Sequence, residues 1–261
     1  MTGDDRSPIG FSESRMEPVR IAGVRVDRIS FDAAVEQAAR YLRENTPRII
    51  VTADASTVVI AQSDPELREI VNNADLVTPD SIGIIWAAKR LGAPIAERVP
   101  GVDLARRVCA VCAQEGHSVF LLGAEPGVAE RAAENLTDRN AGLRIAGIRH
   151  GFFDSDEEVA EEVSASGASL LLVAMGIPRQ EKWISRNLHR LNVRLAMGVG
   201  GSFDVFAGKV RRAPAWMRRR GLEWVYRVAT NPRRITKVAK LPKFVWLVIE
   251  YGSNAPPFHQ Q

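Results

Sequence analysis

Residues 118–136 read SVFLLGAEPGVAERAAENL. A nearly continuous apolar run, Ser118 to Gly123, passes through the small turn GAEPG into an amphipathic helical pattern over Gly127 to Asn135. A strand that is apolar at successive positions, rather than alternate ones, has both of its faces covered. Such a strand followed by a tight turn and a helix is one step of a parallel sheet.

The same signature recurs on both sides. Arg48 to Thr52 (RIIVT), Ser169 to Met175 (SLLLVAM) and Arg194 to Val199 (RLAMGV) read as covered strands. Helical patterns separate them at Phe31 to Asn45, Asp64 to Asn73, Ser81 to Leu91, Val102 to Gly116, Asp156 to Ser166 and Gln180 to Leu191. The expected fold is therefore α/β, a mainly parallel Rossmann-like sheet flanked by helices. In such sheets ligands bind at the carboxyl ends of the strands, in the turns that lead to the next helix. Those turns are the richest part of the chain: TADAST, GAEPG, GIPRQEKW and GVGGSFDVFAG, with LVTPDSIG as a further one. Small residues at helix amino ends leave backbone N–H groups for phosphate, which makes Gly123, Gly176, Gly200, Gly201 and the nearby Asp204 candidates for substrate binding.

With 261 residues, 46% of them hydrophobic, the chain can build one sizeable core, or one core with an appendage. Residues 1–18 read as a flexible leader without the apolar stretch of a secretory signal, so a cytoplasmic location is expected. An α/β body follows over 19–207, then a basic, helical C-terminal appendage over 208–261. From Gly208 to Lys243 there are 12 Lys and Arg against one acid, Glu223, a net of +11 that leaves −7 of the overall +4 for the rest. Pro214, Pro232 and Pro242 divide this tail into short helical pieces, and Trp216, Trp224 and Trp246 lie among its cations. That mixture suits the surface of an anionic membrane; the alternative is a solvated basic face whose aromatics finish the core. The run FVWLVI, 244–249, is far shorter than the roughly 18 residues a membrane crossing needs. Because the four strands precede Gly208, the body is expected to fold without the tail.

Cys109 and Cys112 form a C-x-x-C pair on one face of a helical pattern. Redox and zinc readings need a different position or further ligands, so buried thiols are expected. Asp154-Ser155-Asp156 has the D-x-D form that holds a metal and diphosphate in many sugar transferases, yet it directly precedes EEVAEEV, where one of Asp154 or Ser155 makes a helix N-cap. The cap is favoured, no metal is expected, and basic residues then have to neutralise a leaving diphosphate. Asp80, in TPDSIG, is either the N-cap of the next helix or a general base at the mouth of the crevice. Gln180 and Glu181 open a helix, and His150 is expected to be packed rather than a ligand.

Several of these motifs, in this order, resemble one family: TADAST at 52–57, ADLVTPDSIGIIWAAKRLG at 74–92, ERVPGVDL at 97–104, FLLGAEPGVAERAAENL at 120–136, GFF at 151–153, GIPRQEKWI at 176–184 and GVGGSFDVFAGKVRRAPAWMRRRGLEWVYRVATNPRR at 198–234. The chain is similar to the WecG/TagA/CpsF glycosyltransferases over roughly 20–250. The resemblance implies an inverting, metal-independent transferase. It uses a UDP-sugar, typically of N-acetylmannosamine or its uronic acid, and an undecaprenyl-diphosphate-linked acceptor at the inner face of the cell membrane. It implies Asp80 as base, Thr52 and Gln180 as polar residues of the active site, and Arg98 as an arginine near the substrate. Arg227 and Arg234, with Lys237, match basic residues of an appendage that covers the site and steadies the diphosphate. Asp54 stands where the family pattern leads one to expect Asn. A nucleic-acid-binding tail leaves Asp80 and the glycine turns unexplained, and a nicotinamide-dependent oxidoreductase lacks the glycine fingerprint. No nucleic-acid partner and no cofactor are expected; self-association is left open.

Overall fold

The computed structural model describes residues 16–214, 216, 217, 220, 223–230 and 239–256. Its strands are β1 (Val19–Ile21), β2 (Val24–Val26), β3 (Arg48–Ala53), β4 (Leu76–Pro79), β5 (Ser118–Gly123), β6 (Arg144–Arg149), β7 (Leu170–Ala174) and β8 (Leu195–Gly198). The last six form one sheet in the order β4-β3-β8-β7-β5-β6, and each neighbouring pair is parallel. The two-faced burial expected of the central strands is explicit. Val119 and Leu121 of β5 join the core on one face of the sheet, while Phe120 and Leu122 join the other. Leu170 and Leu172 of β7 divide from Leu171 and Val173 in the same way.

The helices are α1 (Phe31–Arg43), α2 (Ala55–Ala61), α3 (Pro65–Asn73), α4 (Ile82–Arg90), α5 (Gly101–Glu115), α6 (Val128–Arg139), α7 (Asp156–Ala165), α8 (Arg179–Asn187) and α9 (Ser202–Phe206). Their starts follow side-chain chemistry: Ser30, Asp64 and Ser81 each accept a hydrogen bond from the third residue of the helix they precede. Ser155 does the same for α7, accepting from the N–H of Glu158 at 3.2 Å. The D-x-D triplet is thus a cap with acids in the first helical turn, where the helix dipole favours them. Cys109 and Cys112 are buried in α5, and burial pushes the Cys109 thiol up to about 12 and Cys112 upward as well. They are packing groups.

Several elements differ from what the sequence pattern predicts, α9 within GVGGSFDVFAG among them. TADAST continues into α2, because Asp54 and Thr57 close a reciprocal capping box. LVTP is a strand, β4, whose main-chain ladder to β3 runs on as the Asp80 N–H donates to Ala53 O at 2.9 Å. β6 was unread, as was the hairpin of β1 and β2, whose turn residues Ala22 and Gly23 both have positive φ.

Part of the expected appendage belongs to the core. The helix Leu241–Tyr251 buries Phe244, Leu247 and Val248 to 2% exposure or less, against α2. The Ala22 N–H donates to Gly252 O at 2.8 Å, so the two ends of the described chain meet. This packing bears on the expectation that the body folds without the tail, because truncation at Gly208 would expose an apolar face of the central core. Phe244→Ala should cost about 3–5 kcal/mol of stability, and truncation at Gly208 more, as read by denaturant unfolding. A truncated protein with the full-length midpoint would show that this helix contributes nothing to the core.

Candidate active site

A cavity of about 510 Å³ lies over the carboxyl ends of β3, β4, β7 and β8. β3 brings Thr52 and Asp54 to it, and β4 brings Asp80. The turn after β7 contributes Gly176 and Gln180, and the turn after β8 contributes Gly200, Gly201 and Ser202. Arg98, Pro100 and Gly101 form another wall at the start of α5. The opposite wall is apolar, made by Ile82 and Trp86 of α4 with Leu241, Phe244 and Val245. Gly83 is bare where α4 meets Phe244; a β-carbon there would stand 3.3 Å from the ring.

Asp80 does not cap the helix that follows it. Ser81 takes that role, accepting from Ile84 N–H at 3.4 Å. The Asp80 carboxylate instead accepts from Gly101 N–H at 3.2 Å, at the amino end of α5, whose own cap residue Pro100 has no side-chain donor or acceptor to offer. One oxygen is therefore held in place by a backbone amide. Thr52 sits next to this point: a β-carbon on Gly101 would come within 3.0 Å of its side chain, and its hydroxyl donates to Gly198 O at 3.4 Å.

Gln180 is 2% exposed, in the first turn of α8. Its Oε1 accepts from both Gly176 N–H and Gly200 N–H at 3.0 Å, and its Nε2 donates to buried Glu181 at 2.7 Å. Both turn amides are consumed inside the protein. This corrects the expectation that these glycines offer their N–H groups to phosphate: Gln180 fixes the two turns, and Gly198 is bare because a β-carbon would meet Gln180 Nε2 at 2.6 Å.

The comparisons settle what kind of protein carries this cavity. The profile described as "Glycosyl transferase WecG/TagA/CpsF family" matches residues 19–256. A protein of Bacillus spizizenii named N-acetylglucosaminyldiphosphoundecaprenol N-acetyl-beta-D-mannosaminyltransferase is 36% identical over 220 residues, 84% of this chain and 86% of its own length. Proteins with the same name are 32% identical in Staphylococcus aureus, over 90% of this chain and 93% of their own, and 28% identical in Bacillus subtilis, over 84% and 86%. The chain belongs to the WecG/TagA/CpsF family. It is a glycosyltransferase, and its cavity brings polar residues from the ends of four strands together.

Not every residue singled out in the sequence reaches the transferase cavity. Gly123 does not line it; φ is +124° there and a β-carbon would strike Ala174 O at 2.5 Å, so the glycine serves strand packing. Asp204 lies in α9, also outside the lining, and His150 accepts from Phe152 N–H away from it. Asp54 lines the cavity while its carboxylate is engaged in capping α2. Arg227 lies in the helix Glu223–Thr230, with its side chain outside the described residues, as are Arg234 and Lys237 altogether. Among the described residues no group of three His, Cys, Asp or Glu comes together to hold a metal.

The sequence reading passed over Glu223, which lines the cavity and is 5% exposed. Its oxygens lie 3.2 Å from Arg98 Nη2 and 3.5 Å from Arg212 Nε. Arg212 also pairs with Asp103; burial works against its charge, but Asp103 and then Glu223 outweigh burial and raise its pKa. The signal was present, since Glu223 is the single acid among the tail's twelve cations.

The clamp at Gln180 can be tested by exchange. Gln180→Glu keeps the acceptors but sets a second carboxylate against Glu181, and should destabilise by about 1–3 kcal/mol. Adding Glu181→Gln restores one donor and one charge, so the double variant should recover most of that loss in denaturant unfolding. Additive losses would mean the two side chains do not act as a pair.

Proposed function

We propose that the enzyme moves N-acetylmannosamine, or a related hexose, from UDP to a sugar carried on undecaprenyl diphosphate, with inversion and without a metal, in the assembly of a cell-surface polysaccharide or teichoic acid. The observation that carries this reading is the Asp80 carboxylate, pinned by the Gly101 amide at the edge of a cavity large enough for a sugar nucleotide and also lined by Arg98. The names of the relatives supply the acceptor and sugar classes.

In a single displacement the acceptor hydroxyl attacks the anomeric carbon from the face opposite UDP. The new glycosidic bond forms as the bond to the β-phosphate oxygen breaks, and the hydroxyl proton passes to Asp80. UDP departs with its extra negative charge, which Arg98 of the cavity lining neutralises, with Arg227, Arg234 and Lys237 as the further cations that the family resemblance implies. Thr52, held beside Asp80, and the glycine turns locked by Gln180 shape the floor on which the sugar rests.

A lipid-borne acceptor needs the enzyme at a bilayer. No helix of the described residues is long and apolar enough to cross one. The apolar wall of the cavity does continue to the surface: Ile82 is 48% exposed, Trp86 40%, Trp246 50% and Ile249 59%. Exposed Lys89, Arg90 and Lys243 flank these residues in sequence. Apolar side chains among cations support peripheral binding to the anionic inner face of the cell membrane, with the cavity mouth turned toward it. Self-association through the same rim is the competing use of this surface.

Two measurements test these proposals. In transfer from UDP-N-acetylmannosamine to a short-chain lipid diphosphate acceptor, Asp80→Asn should lower turnover about 100-fold or more while UDP still raises the melting temperature, and EDTA should leave the wild-type rate unchanged. Near wild-type turnover of the variant would remove Asp80 from the base role, and a loss restored by magnesium would reject the metal-free mechanism. For the rim, Trp246→Ser with Ile249→Ser should reduce co-sedimentation with anionic liposomes on the order of tenfold, with transfer to a water-soluble acceptor retained. Unchanged liposome binding, with a dimer turned into a monomer, would assign the rim to self-association.

A further inference from the structure

Four charged side chains from distant parts of the sequence meet at one corner of the cavity. Arg98 precedes α5, Asp103 lies in its first turn, Arg212 follows α9, and Glu223 opens the helix Glu223–Thr230. Their pairing is Arg98 with Glu223, Glu223 with Arg212, and Arg212 with Asp103. Among the described residues the cluster holds two guanidinium groups and two carboxylates. Arg212 does not line the cavity and meets it through Glu223, which does.

Burying Glu223 is costly unless cations compensate it, and the same holds for the arginines. In a cavity that takes a sugar nucleotide, the cluster therefore has a definite meaning. A diphosphate entering beside Arg98 meets a carboxylate already bound there, and two anions cannot share one guanidinium without repulsion. The planar fork of arginine accepts phosphate oxygens in the same geometry as a carboxylate. Asp103 gives Arg212 a partner that stays when Glu223 leaves.

We infer that the Glu223 carboxylate is an internal occupant of a diphosphate-binding site built on Arg98 and Arg212, and that substrate diphosphate displaces it. This rests on the transferase reading above, in which a diphosphate enters the cavity. Displacement frees the head of the helix Glu223–Thr230, which also carries Arg227 one turn further on. Binding of the charged group of the substrate is thereby linked to the position of that helix. The opposing role, a permanent prop that keeps Arg98 aimed at the ligand, gives the reverse outcome when the charge is removed. A ligand that must first displace an occupant binds more weakly by the fraction of sites left open.

The test is calorimetry on the full-length protein with inorganic pyrophosphate, UDP, uridine and a short-chain polyprenyl diphosphate sugar. Glu223→Gln should bind pyrophosphate about fivefold more tightly than wild type, the factor carried by one ion pair, with uridine unaffected. Whichever of UDP and the lipid diphosphate shows the same gain is the diphosphate that uses the site. Should the glutamine variant fail to fold, Glu223→Asp, whose shorter carboxylate reaches Arg98 and Arg212 less well, should show a smaller gain in the same direction. Equal or weaker pyrophosphate binding by the folded variant overturns the inference and makes Glu223 a prop. Binding of UDP and of the lipid diphosphate that is present but unchanged by the substitution for both sinks the inference alone; UDP binding absent from wild type and variant sinks the transferase reading with it.

Discussion

Burial of the central strands on both faces leaves no room for polar chemistry along them. Every residue of β7 is buried, as is all of β5 but its first, and successive side chains serve opposite cores. An unpaired polar group in either layer would cost its full desolvation. Polar residues are therefore confined to where the strands end, and there the parallel arrangement places Thr52, Asp80, Gly176 and Gly200 side by side. The turns at those ends need support of their own, because glycines with positive φ are permissive as well as necessary. Gln180 supplies it by accepting from two turns at once, while Glu181 fixes which way its amide faces. The floor of the cavity is rigid because a buried side chain, rather than water or ligand, satisfies its amides.

Charge in this protein is arranged on the same principle of internal satisfaction. A stretch, 208–243, of net +11 against −7 for the rest of the chain would seem to be held by diffuse attraction. What the described residues show is more local: Arg212 reaches Asp103, Lys209 reaches Glu125, and the tail's own acid reaches back to Arg98. The exposed Lys209 pair contributes little to stability. The Arg98–Glu223–Arg212–Asp103 chain differs because Glu223 and Arg212 are largely out of water, so its charges have to be exchanged rather than simply released.

The sequence was legible where one signal dominated. β3, β5, β7 and β8 were plain because buried parallel strands are continuously apolar. β6 was missed because it is an edge strand, half-exposed, with arginines at both ends and Gly147 in the middle. That glycine is required by packing, since a β-carbon would stand 2.3 Å from the Phe120 ring. β4 was hidden by its brevity and by the proline that ends it, and α2 by a capping box that looks like a turn when Asp54 and Thr57 are read separately. At the site, Thr52, Asp54, Asp80, Arg98, Gly176, Gln180, Gly200 and Gly201 do gather around one cavity, whereas Gly123 and Asp204 do not, and Arg234, Lys237 and the side chain of Arg227 lie outside the described residues. Their partners were not readable: no pattern announces that Gln180 spans two glycines 24 residues apart, or that Asp80 serves α5 rather than α4.

The helix Leu241–Tyr251 shows why a boundary drawn on charge cuts through the folding unit. Its period places three surfaces on one short cylinder. Phe244, Leu247 and Val248 are core; Leu241 and Val245 reach the cavity, where Phe244 joins them; Trp246 and Ile249 face outward. Phe244 also stands 6.4 Å from Trp86 across the cavity wall, so the helix that completes the core helps to shape the substrate site. A change at 244 acts first through stability, a change at 245 through the cavity, and a change at 246 or 249 through whatever the rim touches. Activity lost on truncating the tail therefore carries no information about membrane binding until the folded fraction is known, whereas substitutions on the outer face separate the two directly.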